Sequence, residues 1–165
     1  HISLFSALAG LEIALGRKPR VVLFPYALPM KFKEYVVYFD RLAEAANSQC
    51  CLIVYPAASE QLLGSKKGNQ LVVAPTQPTT QGVSTEFKET SYCLLAPGIH
   101  IWTTKSEGYG YESGACLAAG ITAGGAALVW ALEPGLSAQA VCERLMKSAD
   151  EKRRLALDKA LQPGT

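Results

Sequence analysis

The chain has 165 residues, 49% of them hydrophobic and 18% charged, with a formal net charge of +2. That is enough apolar material for one core of ordinary size, and it excludes a disordered chain. So small a positive excess gives no argument for nucleic acid or an anionic surface as a partner.

In chain order, "ISLFSALAGLEIALG" repeats apolar residues at Phe5, Leu8, Ala9 and Ile13, with Gly16 as a stop, and predicts a helix. "RVVLFPYALP" is a short β-rich run interrupted by Pro25 and Pro29. "KFKEYVVYFDRLAEAANSQ" puts Phe32, Tyr35, Phe39, Leu42 and Ala46 on one face of an amphipathic helix. "CCLIVYPA" is apolar without alternation, as a strand buried on both faces should be, and Cys50 and Cys51 read as small buried hydrophobes in it. A polar loop from Ser59 to Asn69 leads to a strand, "QLVVAP". The turn-rich "TQPTTQGVST" leads to another, "SYCLLAP". "GIHIWTTKSEGYGYE" predicts an exposed hairpin with Gly98, Gly108 and Gly110 in its bends. After it, Ser113 to Leu132 carries no charge. "PGLS" then breaks the chain, and Ser137 can cap a last helix from about Ala138 to Ala149 or beyond. Strands alternating with helices predict one α/β domain, a mainly parallel sheet with helices on both sides.

The uncharged stretch is long enough to span a bilayer, and Gly120 and Gly124 form a G-x-x-x-G pair. It consists mostly of Gly, Ala and Thr, however, and a bilayer span is far richer in large apolar residues. We therefore expect no membrane span, but a buried helix with other elements packed closely around it. Its glycines lie inside the helix rather than in a loop ahead of it, and no phosphate-binding glycine motif occurs. Five cysteines (Cys50, Cys51, Cys93, Cys116 and Cys142) are an odd number at spacings that fit no zinc site. We expect no metal or other cofactor, and reduced thiols point to an intracellular setting. The opening on His1 rather than Met, without a signal peptide, leads us to expect a longer precursor.

From "APG" at Ala96 to "KSAD" at Asp150 the chain resembles the C-terminal third of subtilisin-like serine proteases. There, "APG" and a surface hairpin precede Ser-Gly-Thr-Ser-Met-Ala-x-Pro-His, whose second Ser is the nucleophile and opens a small-residue helix. A Pro-Gly-Leu turn and a further helix follow. Ser113, Gly114, Ala118, Ala119, Pro134, Gly135 and Leu136 match in order. Upstream, "KPRVVLFPYALP" sits where the family has its substrate-binding strand, and "CCLIVYPAAS" where it has the strand ending Ala-Gly-Asn. The resemblance implies the second half or so of a subtilisin-like domain, a partial three-layer helix–sheet–helix fold. The family's catalytic Asp and His belong to earlier elements that these residues do not include.

By that resemblance Cys116 holds the nucleophile position, Gly120 replaces the motif's Pro, and Ser59 falls on the oxyanion-hole Asn. The substrate strand carries Pro25, with Tyr26 and Ala27 in place of Leu-Gly. A Ser or Cys nucleophile needs a base within hydrogen-bond reach and a group that orients it. The two histidines are His1, at the terminus, and His100, in the hairpin region. A thiolate could be stabilised by a helix N-terminus alone, but a free Cys is more commonly a small filler. A side-chain amide in the oxyanion hole is worth about 10²–10³ in rate, and the shorter Ser59 hydroxyl replaces it here. Proline cannot donate to a peptide bound as an added strand. The expectation is a non-catalytic subtilisin-like domain serving as a structural or interaction module. The alternative is an endopeptidase whose Asp and His come from another chain or an absent N-terminal segment. A domain of this extent leaves a sheet edge uncovered, so its partner is expected to be another protein chain, more of the same polypeptide, or a second copy.

Overall fold

A computed structural model of the chain describes residues 3–26, 33–57, 68–76 and 93–162. Helix α1 (Leu4–Leu15) leads to strand β1 (Val21–Leu23), helix α2 (Lys33–Ser48) and strands β2 (Leu52–Pro56), β3 (Gln70–Thr76) and β4 (Cys93–Pro97). A hairpin of β5 (Ile101–Lys105) and β6 (Gly108–Glu112) precedes α3 (Ala115–Leu132), α4 (Ala138–Ser148) and the short α5 (Leu157–Ala160). The four strands β1-β2-β3-β4 lie side by side in that order, all parallel.

Alternation along the buried strands builds two cores from one sheet. Ile53, Tyr55, Val72 and Ala74 face α1 and α2, with Leu8, Leu11, Phe39 and Ala43. Leu52, Val54, Leu71, Val73, Leu94 and Ala96 face the other way, against Ala118, Ala126, Val129, Val141 and Leu145 of α3 and α4. The continuous apolar character of β2 and β3 follows from burial on both faces. The fold is therefore the three-layer α/β arrangement with a parallel sheet.

Several local expectations are corrected. In α1 the face turned inward is Ala7, Leu8, Leu11 and Leu15, whereas Phe5 and Ile13 are 65% and 70% exposed. Two apolar faces share that helix, and only packing decides between them. Cys50 is exposed. It lies just after α2 in the left-handed region, φ +57°, while Cys51 N–H reaches back to the Ala46 carbonyl at 2.9 Å. That is the helix-ending position usually held by glycine. Gly110 is not in a bend but within β6, opposite Thr103. Gly108 does take the turn, at φ +102°. Among the described residues α3 is covered on one side only: a Cβ on Gly125 would run into Leu157, but nothing stands within 4 Å of one on Gly124. Leu128 and Leu132 are 51% and 56% exposed. By length and composition α3 could cross a membrane, yet eight of its residues are buried in the fold.

Candidate functional site

In a parallel sheet the carboxyl ends of the strands lie on one side, where open α/β sheets bind their ligands. Three pieces of chain meet there: the exit of β1, the exit of β4, and the start of α3.

At the first, Phe24 N–H continues the sheet pairing to the Val54 carbonyl at 2.9 Å, and the Phe24 ring is buried against Phe39 at 5.7 Å between centroids. The chain then turns sharply, because Tyr26 N–H donates to the Phe24 carbonyl at 2.8 Å. This three-residue turn is centred on Pro25, whose ring removes an N–H and fixes φ. The expected substrate strand therefore ends at Leu23, and Pro25 and Tyr26 lie beyond it in the turn. Ala27 and Ser59 lie outside the described residues, as do His1 and Phe32.

At the second, Gly98 follows β4 in a space that admits no side chain. A Cβ there would stand 2.8 Å from Pro75 Cβ and 2.9 Å from both Ala118 Cβ and the Gly114 carbonyl. The Gly98 carbonyl accepts from Gly114 N–H at 2.7 Å, and His100 N–H donates to Ser113 Oγ at 2.9 Å. These two bonds close the base of the hairpin and fix where α3 begins. The closeness of Gly98 was not legible in the sequence, where it read as a bend glycine; only the crossing of β4, β3 and α3 makes it necessary.

At the third, Cys116 is the second residue of α3 and is exposed. Its Sγ donates to the Pro25 carbonyl at 3.4 Å. His100 does not join the group. Its backbone sits in the left-handed region, φ +58°, and its ring stacks flat on Tyr111, 4.0 Å away. Tyr111 also meets Trp102 edge-on at 4.9 Å, making an exposed aromatic face on the hairpin. Among the described residues the structure thus brings Cys116 and Pro25 together and supplies no imidazole or carboxylate hydrogen bond to the sulfur.

Three of the remaining thiols, Cys51, Cys93 and Cys142, are buried. Burial pushes Cys51 up to about 11 and, with Glu143 adding to it, Cys142 up to about 12; burial also raises Cys93. No cluster of metal-ligating side chains occurs among the described residues.

The model of the subtilase family matches residues 46–163, more than half of the chain. The prenylagaramide maturation protease PagA superposes with a TM-score of 0.74 at 16% identity, over 98% of this chain and 67% of that one. For the PatG macrocyclase domain the TM-score is 0.77 at 20% identity, over 96% of this chain and 56% of that one. A lanthipeptide protease gives 0.78 at 19%, over 96% and 66%. At these identities the likeness is one of fold, and the chain spans only between about half and two thirds of the length of these structures. No curated protein matches the chain in sequence.

Proposed function

The chain belongs to the subtilase family, and we propose that within it this is a non-catalytic domain, a structural or protein-interaction module of a larger assembly. The observation that carries the reading is the Cys116–Pro25 contact. The sulfur that the resemblance puts in the position of the family's nucleophile has its hydrogen bond to a main-chain carbonyl, 3.4 Å away, and among the described residues none to an imidazole or carboxylate. Pro25 adds to it. A peptide held as an added strand needs a row of main-chain donors and acceptors, and here the row ends in a turn that uses Tyr26 N–H internally. The scaffold around the site is held by close packing of Gly98 at a crossing and of Gly125 under Leu157, and by Arg144, whose hydrogen bond to the Ala160 carbonyl ties α4 to α5.

A second reading has an observation of its own. Cys116 is exposed at a helix N-terminus above the carboxyl ends of parallel strands, and similar structures are named as proteases. A peptidase completed by an Asp and a His from elsewhere would use that placement. A fluorophosphonate-type probe and an alkylating agent separate the two readings. The non-catalytic reading expects no fluorophosphonate adduct, and alkylation of Cys116 no faster than of a surface thiol. Rapid, saturable labelling at Cys116 abolished by denaturation would establish the peptidase instead.

A further inference from the structure

We propose that the outward face of the β5–β6 hairpin is a binding site for a proline-rich polypeptide in the extended polyproline II conformation, with Trp102 and Tyr109 as its two anchoring rings. This deepens the interaction-module reading and rests on it, by naming where the module is engaged and the chemistry of what engages it.

The register of the hairpin builds that face. Trp102 pairs with Tyr111, and Thr104 with Tyr109. Directly opposed residues share one face of a ribbon, so these four side chains stand together, while Ile101, Thr103, Lys105, Gly110 and Glu112 occupy the other. Trp102 is 61% exposed, Tyr109 70% and Tyr111 53%. Among the described residues only Phe5 is another Phe, Tyr or Trp exposed to this degree, so the rings are concentrated on one patch. Large apolar groups gathered in this way mark a surface of interaction. The patch is also ordered before any ligand arrives. Tyr111 is held by His100, stacked on it at 4.0 Å, and by Trp102, tilted at 69° with the centroids 4.9 Å apart. The base of the ribbon is closed by the Gly114–Gly98 bond at 2.7 Å and the His100–Ser113 bond at 2.9 Å. Little freedom is left for binding to remove.

Charge, chemistry and shape choose the occupant. The four paired residues of the face carry no formal charge, for Lys105 and Glu112 lie on the opposite face and neutralise each other at 2.7 Å. Glu107 stands apart from them, in the turn between the strands. A neutral ligand complements such a face, and a strongly charged one finds no partner on it. The face has rings and a hydroxyl but no aliphatic side chain, so it offers flat contact area with an N–H or O–H at the ring edges. A polyproline II strand meets both conditions. Its carbonyls make no internal hydrogen bonds and are free to accept, and its preformed backbone has little entropy to lose against aromatic rings. The 69° tilt between Trp102 and Tyr111 makes a notch instead of a level platform. A level platform suits the broad face of a sugar ring, and a notch suits the narrower pyrrolidine. Trp102 and Tyr109 are diagonal neighbours across the ribbon, and such residues lie roughly 7–8 Å apart. That distance spans two to three residues of polyproline II at about 3.1 Å each.

The test is a titration of the intact protein with decaproline, followed through the indole N–H signals in two-dimensional NMR. Trp130 is the internal reference, being buried with its Nε1–H on the Leu136 carbonyl at 2.8 Å. A saturable shift is expected at Trp102 and none at Trp130. Trp102→Ala and Tyr109→Ala should each weaken binding at least about tenfold, as loss of a central aromatic anchor does. Tyr109→Phe, which keeps the ring on the ribbon, should retain most of the affinity, and Phe5→Ala should leave it unchanged. Absence of a saturable shift at Trp102 overturns the proposal, as does full affinity in both alanine variants. So does a Trp102 shift given by cellohexaose and not by decaproline, which would make the face a sugar site. A shift that follows protein concentration alone, with a doubling of mass in light scattering, would make the occupant a second copy and overturn it equally. Rapid, denaturation-sensitive alkylation of Cys116 beside decaproline binding would overturn the non-catalytic reading and leave the hairpin site standing; an unreactive Cys116 without decaproline binding would do the reverse.

Discussion

The thiol of Cys116 reaches across 3.4 Å to the carbonyl of Pro25, joining the first turn of α3 to the turn that follows β1. A hydroxyl can make the same bond. Cys116→Ser should therefore leave stability within about 1 kcal/mol of the parent in urea denaturation, the scale of one exposed hydrogen bond. It should not confer hydrolysis of a chromogenic peptide. Turnover by the serine variant would mean that a base stands behind the site after all.

Gly98 is the stricter test of how α3 is positioned. Gly98→Ala places a methyl 2.8–2.9 Å from Pro75, from Ala118 on the helix that carries the thiol, and from the carbonyl of Gly114 at that helix's N-cap. We expect a loss of about 1–3 kcal/mol by thermal or chemical denaturation, the usual penalty for overpacking. The rate of Cys116 alkylation should change in the folded variant, because the Gly98–Gly114 bond sets where the helix starts.

Cys50 ends α2 in a left-handed conformation, φ +57°, which costs a residue with a Cβ roughly 1–2 kcal/mol. Cys50→Gly removes that cost but adds glycine's greater chain entropy, about 0.5–1 kcal/mol. A net gain of about 0.5–1 kcal/mol should appear as a higher denaturant midpoint with an unchanged slope. Loss of stability would show that the cap is held by contacts of the side chain.

The five thiols should divide sharply. Near pH 8, Cys50 and Cys116 should react with a thiol reagent in the native protein, and Cys51, Cys93 and Cys142 only once it unfolds, since thiolate and access are both needed. The buried thiols also set an alkaline limit. Cys51 and Cys142 move from an ordinary value of 9.0 to about 11 and about 12 on folding. Their raised values add stability that is complete below about pH 9 and is lost as the pH rises through 11 to 12. Replacing Cys142 by Ala should flatten that alkaline decline in a pH series of denaturation curves.

Arg144 is buried with every bond it makes accounted for. It donates through Nε to the Ala160 carbonyl at 2.8 Å, through Nη1 to Glu133 at 2.6 Å, and through Nη2 to the Gln162 carbonyl. Arg144→Lys cannot reproduce that fork, and we expect a loss of about 2–4 kcal/mol together with fraying of α5 in hydrogen exchange.

Reading along the chain located the elements better than it located their faces. The uncharged run from Ser113 to Leu132 became α3, and "CCLIVYPA" became β2, because period and length alone separate a helix from a doubly buried strand. The choice between Phe5–Ile13 and Leu8–Leu15 as the inner face of α1 was open locally, since both stripes are apolar. Pro25 was legible as an interruption, but not as a turn whose carbonyl lands on a residue 91 positions later.

What the sequence determined by itself was the order and kind of the elements, and the identity of the residues at the site. Composition and periodicity act over a few turns or strand residues, and one chain carries them in full. The meeting of Cys116 with Pro25 and the fit around Gly98 were decided only by tertiary structure. Each depends on distances between segments far apart in the chain, set by how helices and strands stack in three layers, and no local pattern encodes them.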